Sequence, residues 1–271
     1  MVRGCGLGLV LAALLAAAAS GPAAAQDAAP DTLTVVTLNI WHDRGDWPLR
    51  LEYIVRDLAA LRPDVVLLQE VLQDEGLPNQ AETIARALGM PHVHFVSTDS
   101  AGAAKRYGNA VVSAHPFAET DGRRLPPLDA FRTAAYARIE VGGRPVRLYT
   151  THLHHPPDAE GGGVRAMEVR HLLAFVAETG GDAPLVLGGD FNAEPDWPEM
   201  RMLDGLRDLG GAGVTWGPAY TGVPGRRIDY LFDAADARLV PVAAGVALDR
   251  ADAEDRYPSD HFAVYARFVL P

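Results

Sequence analysis

Leu187-Gly188-Gly189-Asp190-Phe191-Asn192-Ala193-Glu194-Pro195 follows an apolar run, Ala183-Pro184-Leu185-Val186-Leu187, that reads as a short buried strand. The two glycines let the backbone turn sharply or admit a close neighbour. In extended backbone alternate side chains share a face. Asp190 and Asn192 therefore point the same way off the end of a buried strand. Asp, Asn and Pro are also ordinary turn residues. The stretch acquires a chemical reading only if other strands deliver polar groups to the same place.

They do. Thr34 to Ile40 is β-rich and ends in Leu38-Asn39-Ile40-Trp41. Leu51, Ile54, Val55, Leu58 and Leu61 recur at helical spacing and predict a helix over Leu49 to Leu61, stopped by Arg62-Pro63-Asp64. Val65 to Leu68 is a buried strand that delivers Gln69-Glu70. Strand, helix, strand in this order indicates α/β architecture. Further strands are predicted over His92 to Val96 and Gly108 to Ser113, after a short helix marked by Ala81, Ile84 and Leu88. Thr133 to Val141 and Pro145 to Thr151 form a hairpin around Gly142-Gly143, and the second strand delivers His152. Val164 to Ala177 reads as a helix with Met167, Leu172, Leu173 and Val176 mainly inward. Pro198 to Leu209 reads as a short helix, and Gly210 to Gly225 as a glycine-rich loop. Strands over Ile228 to Phe232, Arg238 to Leu248 and Phe262 to Leu270 complete the chain. Asp229 lies in the first, and Asp260-His261 opens the last.

Composition narrows the classes. Arg3, the apolar run Leu7 to Ala19 and Ala23-Ala24-Ala25 make residues 1–25 a secretory leader, with cleavage expected near Ala25. The apolar core is short for a membrane span, so no stable span is expected after cleavage. Export is expected, to the periplasm or the medium. Residues 26–32 read as a short linker and 33–271 as one domain. Cys5 is the single cysteine and lies in the leader, so the mature chain has no disulfide and no thiolate metal site. Removing the leader takes the formal charge from −11 to −12, since Arg3 is its one charge. That argues against broad, charge-driven binding of nucleic acid, although not against a nuclease that meets DNA through a divalent metal.

The polar strand ends amount to four carboxylates, two amides and two imidazoles, without a nucleophile elbow or a phosphate loop with its lysine. Oxygen ligands from few carboxylates suit a hard cation such as Mg²⁺. A metal beside two His and an Asp-x-Asn pair suits hydrolysis of a phosphate ester by a positioned water.

Asn39 in TLNIW, Glu70 in LLQEV, His152 in TTHLHH, the GGDFNAEP stretch, RRIDYLF and YPSDHFAV occur in order. Together they resemble the endonuclease/exonuclease/phosphatase superfamily over nearly the whole mature chain, Thr34 to Leu270. The resemblance implies a four-layer α/β/β/α sandwich with two central, mostly antiparallel sheets. It implies Mg²⁺, with Mn²⁺ able to substitute, held by Glu70 with Asn39 and Asp260 close by. It implies that Asp190 orients or deprotonates the attacking water, that Asn192 holds a phosphate oxygen or the water, and that Asp229 pairs with His261. His152 would face the leaving group or a phosphate oxygen. Asp190 and His261 both stay open as the base. Some nucleases of the superfamily place a carboxylate to pair with the first catalytic His. The strand here reads Tyr107-Gly108-Asn109-Ala110 instead, which leaves Tyr107 or Asn109 to contact phosphate. Arg226 is a further candidate for the substrate. His42, His92, His94, His115, His155 and His171 read as structural or surface residues.

Three functions follow: an exported phosphoesterase acting on a small or lipid-linked ester, an exported nuclease, and a non-catalytic binding module on the same fold. A full set of site residues speaks against the last.

Overall fold

A computed structural model describes residues 1–2, 31–211, 213–217 and 224–271. All but a few residues of the expected leader and linker lie outside the described residues. Two six-stranded sheets stack face to face, and helices cover both outer surfaces. This is the four-layer sandwich expected.

The first sheet is built from β1 (Asp31–Asn39), β2 (Val65–Gln73), β3 (His92–Ser97), β4 (Arg106–Ser113), β11 (Val240–Ala247) and β12 (Ala263–Leu270), in the order β11-β12-β1-β2-β4-β3. The second contains β5 (Phe117–Leu125), β6 (Arg132–Val141), β7 (Arg144–His152), β8 (Leu185–Asp190), β9 (Arg207–Asp208) and β10 (Asp229–Asp233), in the order β5-β6-β7-β8-β10-β9. Each sheet has one parallel pair, β1 with β2 and β7 with β8; the other pairs are antiparallel. A parallel pair needs a crossover. Helix α1 (Trp47–Leu61) supplies it for β1–β2 and α3 (Ala159–Glu178) for β7–β8, while α2 (Gln80–Leu88) packs beside α1.

The three apolar layers follow from period. Leu33, Val35, Leu67, Leu148, Val186 and Leu231 meet between the sheets. Val36, Leu38, Val66 and Leu68, on the opposite face of the same strands, pack under Ile54, Leu58 and Ile84 of α1 and α2. Tyr149, Leu187 and Phe232 pack under Val169, Leu172 and Phe175 of α3. The two glycines of the opening stretch serve close approach. A Cβ on Gly188 would stand 2.7 Å from Leu231 and 2.8 Å from Leu67, and one on Gly189 would stand 2.1 Å from the Thr151 carbonyl oxygen.

Several elements differ from expectation. β2 does not end at Glu70. It continues to Gln73 through a bulge in which Gln69 and Glu70 oppose Asn109 alone, with Glu70 at φ 56°. The bulge re-aims the Glu70 side chain from within a strand. β5 was not expected, because its Glu119-Thr120-Asp121-Gly122-Arg123 is polar and mostly exposed. The helix expected over Pro198 to Leu209 is a single 3₁₀ turn, Met200–Leu203, followed by the two-residue strand β9. On α3, Met167 is exposed, and the buried face carries Arg165, Glu168, Val169, Leu172 and Phe175. No described helix is long and apolar enough to cross a membrane.

Candidate active site

The carboxyl ends of the two parallel pairs open on one side of the sandwich, where crevices form in open α/β sheets. Register places the residues. Asp190, the last residue of β8, lies directly opposite His152 at the end of β7 and Asp229 at the start of β10. One row across three strands thus carries imidazole, carboxylate and carboxylate. From the first sheet, Asn39 ends β1 and Glu70 leaves the β2 bulge. Asp260 and His261 enter just before β12.

These ends surround a cavity of about 560 Å³. Glu70, Tyr107, His152, Asp190, Asn192, Arg226, Asp260 and His261 line it. Asn39 and Asp229 stand behind them. Asn39 accepts from the Trp41 N–H through Oδ1 (2.9 Å), and its Nδ2 donates to Asp190 Oδ2 (3.0 Å) and Glu70 Oε1 (3.3 Å). Its amide therefore bridges the two sheets at the floor of the site. Asp229 Oδ2 is 2.9 Å from His261 Nδ1, which leaves Nε2 facing Asp190 Oδ2 at 3.7 Å. His152 Nε2 reaches the same Oδ2 at 3.4 Å. Asn192, at φ 50°, gives its backbone N–H to Asp190 Oδ1 and its Nδ2 to the Leu153 carbonyl. The two members of the Asp-x-Asn pair hold each other.

Asn109 does not join the cavity. Its amide donates to the carbonyl and hydroxyl oxygens of Thr133, tying β4 to β6. It sits opposite the bulge, where the only space lies between the sheets. Of the substrate candidates, Tyr107 and Arg226 do reach the cavity. Arg226 also donates to Glu194 Oε1 at 2.9 Å and lies over the Trp197 ring.

Burial sets the electrostatics. Asp190 is pushed up to about 7, first by desolvation and then by Asp229. Burial opposes a charge on His261, yet the Asp229 and Asp190 carboxylates hold it well above its ordinary range. Burial, helped by the Arg132 guanidinium, holds His152 well below its ordinary range. The 3.4 Å contact of His152 with Asp190 is thus one of a neutral ring, whereas Asp229 and His261 form an ion pair. Desolvation raises Asp260, and the Glu70 carboxylate raises it further. Two acids therefore compete for one space, a seat suited to a cation. The ligand atoms of Asp190, Asp229 and His261 also lie within 4.8 Å of one another and form a second such group.

The cavity contains groups that the sequence reading passed over. Arg132 lines it with a buried Nε that has no hydrogen-bond partner, beside Arg44, His42 and His155. His42 Nε2 lies 3.9 Å from Glu70 Oε2. Arg132 had a signal: it opens β6, as Asp229 opens β10, at a strand end where site residues collect. The other three lie in loops, and only tertiary folding turns loop residues inward.

The description "Endonuclease/Exonuclease/phosphatase family" belongs to a family model that matches residues 36–261. This chain belongs to that family. A Drosophila melanogaster protein provisionally assigned as a neutral sphingomyelinase is 31% identical over 192 residues, 63% of this chain and 41% of that protein. The chain spans 41 to 50% of the lengths of the curated relatives it matches. Among solved structures, an endonuclease/exonuclease/phosphatase from Beutenbergia cavernae DSM 12333 superposes with a TM-score of 0.68 at 27% identity, over 89% of this chain and 72% of that one. TDP2 of D. rerio, in complex with a single strand DNA product, superposes with a TM-score of 0.72 at 20% identity, over 88% of this chain and 98% of that one. That last likeness concerns the fold alone.

Proposed function

We propose that this family member is an exported, Mg²⁺-dependent phosphoesterase that hydrolyses a small or lipid-linked phosphate ester by in-line attack of water. The observation that carries the reading is the meeting of two kinds of group in one cavity: half-buried acids, Glu70 and Asp260, from the first sheet, and a buried cluster of His152, Asp190, Asp229 and His261 that the second sheet completes.

Glu70 and Asp260 offer carboxylate oxygens that fit Mg²⁺, and Mn²⁺ in its place, while Asn39 steadies Glu70 through its Nδ2 and keeps its Oδ1 on the Trp41 N–H. The Asp190–Asp229–His261 group fits less well, because Asp229 and His261 already satisfy each other at 2.9 Å. Bound at Glu70, the ion would neutralise charge on a phosphate oxygen. The protein's own groups do the rest. Asp190, poised near neutrality, orients the water and takes its proton, while the protonated His261 beside it steadies the carboxylate. Asp229 fixes the His261 tautomer and keeps Nε2 aimed into the site. His152, kept neutral, faces the leaving group or a phosphate oxygen. Arg132, Arg44 and Arg226 offer guanidinium groups to phosphate.

The assigned sphingomyelinase relative supports the lipid-linked ester. A second reading, a nuclease, draws on the DNA product held by TDP2, and the charge of −12 on the mature chain weighs against it. Plasmid DNA, bis-p-nitrophenyl phosphate, sphingomyelin and inositol phosphates, each with Mg²⁺ and with EDTA, test the readings. Turnover of a small or lipid ester with Mg²⁺ alone is expected. Rapid plasmid nicking replaces this reading with the nuclease, and no turnover together with no Mg²⁺ binding leaves a binding module. Export is tested by N-terminal sequencing of protein recovered outside the cytoplasm, where Gln26 is the expected first residue.

A further inference from the structure

A second cavity, of about 640 Å³, opens beside the first turns of α3. Its walls are Pro157, Ala159, Ala166, Trp197, Pro198 and Met202. At its base Arg165 and Glu199, both almost fully buried, pair at 2.6 Å, and the Arg165 guanidinium also donates to the His154 and Pro156 carbonyls; at its rim the exposed Asp158 carboxylate accepts the Gly161 N–H. None of the lining side chains carries a buried polar atom without a partner.

Two glycines in the wall lack a packing reason. Gly161 needs to be glycine, because a Cβ there would stand 2.1 Å from the Pro156 carbonyl oxygen. A Cβ on Gly162 would meet nothing closer than 3.7 Å, and one on Gly163 would meet nothing within 4 Å. Both line the cavity. Glycine within a helix is a poorer former than any residue but proline, so α3 accepts a local cost at two positions where a side chain would fit. At Gly162, whose Cβ would face Arg165 and Glu199 at the cavity base, such a side chain would fill the cavity, whereas Gly163 is exposed at its rim.

The cavity adjoins the active site. Trp197 in its wall lies 5.0 Å under Arg226, which lines the catalytic cavity, and 4.9 Å from Arg165. Pro157 stands two residues after His155, another catalytic-cavity residue. A phosphate in the first cavity and a chain in the second are thus separated by one stacked Trp–Arg layer.

We infer that this cavity is a subsite for the hydrocarbon part of the substrate, so that the ester hydrolysed is amphiphilic. The inference rests on the phosphoesterase reading and narrows its substrate class. A nucleobase is the poorer fit, because two guanidiniums already engage the Trp197 ring on which it would stack.

The test is Gly162→Leu, which fills the cavity while improving the helix, so the variant is expected to fold and to melt no lower than wild type. Binding is read by tryptophan fluorescence with dodecyl phosphate below its micelle concentration, and with adenosine monophosphate as the base-bearing control. Wild type is expected to bind dodecyl phosphate saturably and more tightly than adenosine monophosphate. The variant is expected to lose that preference, with affinity for dodecyl phosphate at least about tenfold weaker, because several methylenes are shut out. On a long-chain phosphodiester its KM rises, whereas turnover of bis-p-nitrophenyl phosphate stays unchanged. Equal dodecyl phosphate binding by wild type and variant, no saturable binding by wild type, or tighter binding of adenosine monophosphate each overturns the subsite. Loss of the phosphoesterase reading itself has a different signature: no Mg²⁺-dependent turnover of bis-p-nitrophenyl phosphate by wild type, whatever dodecyl phosphate does.

Discussion

Asp190 is the residue on which the site converges. Asn39, His152 and His261 approach its Oδ2 at 3.0, 3.4 and 3.7 Å, and the Asn192 N–H holds its Oδ1. A carboxylate held by four groups from four chain segments has one orientation, which is what general base catalysis requires. Asp190→Ala and His261→Ala are each expected to lower kcat by about 10³-fold, within the range for a lost acid–base group, with unchanged circular dichroism. Steady-state rates on the best substrate of the panel check this, and near-wild-type rates in either variant would break the mechanism. Glu168 offers a separate test outside the site. It is fully buried, its Oε2 accepts the His154 N–H at 2.8 Å, its Oε1 has no partner, and desolvation pushes it up to about 7. An acid whose pKa is higher in the folded than in the unfolded chain binds more protons when folded. Its contribution is best below its unfolded value of 4.5 and is lost as pH rises to about 7. Glu168→Gln keeps the acceptor and removes the charge. Relative to wild type, the variant should gain about 2 kcal/mol between pH 5 and pH 8, as read by urea unfolding at both values.

At the scale of elements, the β7–β8 pair and the β2 bulge set the geometry. Gly188 and Gly189 are both tight, but against different neighbours. The Gly188 Cβ would meet the ends of two leucine side chains, whereas that of Gly189 would meet the Thr151 backbone. Side chains rotate away more easily than a paired strand shifts. Gly188→Ala is expected to cost about 1 kcal/mol and Gly189→Ala about 3 kcal/mol, the two ends of the range for overpacking. Chemical denaturation measures the order. Gly189→Ala should also lower activity, since it pushes apart the strands that carry His152 and Asp190. The bulge is what brings Glu70 to the cavity. Val65 to Leu68 does lead to it, yet β2 runs on to Gln73, and the aim of Glu70 comes from the extra residue opposite Asn109. Asn109 was misjudged for the same cause. Its motif neighbours Tyr107, and the register turns the two to different places.

The whole molecule brings two sets of polar side chains, one from each sheet, into one cavity. The first sheet brings Glu70, Asn39 and Asp260; the second brings His152, Asp190 and Asp229. A metal bound at their junction would stabilise the native sandwich but not the unfolded chain. Mg²⁺ at about a hundredfold over its Kd should add about 2.7 kcal/mol, seen as a higher Tm that EDTA abolishes. Turnover should vanish with EDTA and return with Mg²⁺ or Mn²⁺. Charge acts at this scale too. An acidic chain with Arg44, Arg132 and Arg226 gathered in one cavity concentrates its attraction for phosphate locally, instead of over a face wide enough for a duplex.

By itself the sequence determined most of the strands, helices α1 and α2 and the body of α3, and which polar residues stand at or near strand ends. These are local properties, carried by periodicity and by the short reach between a residue and its neighbours in the chain. It could not determine β5, whose polar alternation lacks a buried face, nor the inward turn of Arg132, His42 and His155. Nor could it distinguish Gly162 and Gly163 from a flexible lead-in to the helix. Those were decided when the sheets closed on each other, because which side chains share a cavity depends on pairings between residues far apart in sequence, such as His152 with Asp190 and Asp229 with His261. The Asp190 and Asn192 pair shows both: their spacing in the chain put them side by side, and only the fold gave Asn192 its left-handed turn back onto Asp190 and gave Asp190 its burial, its partners and its poised proton.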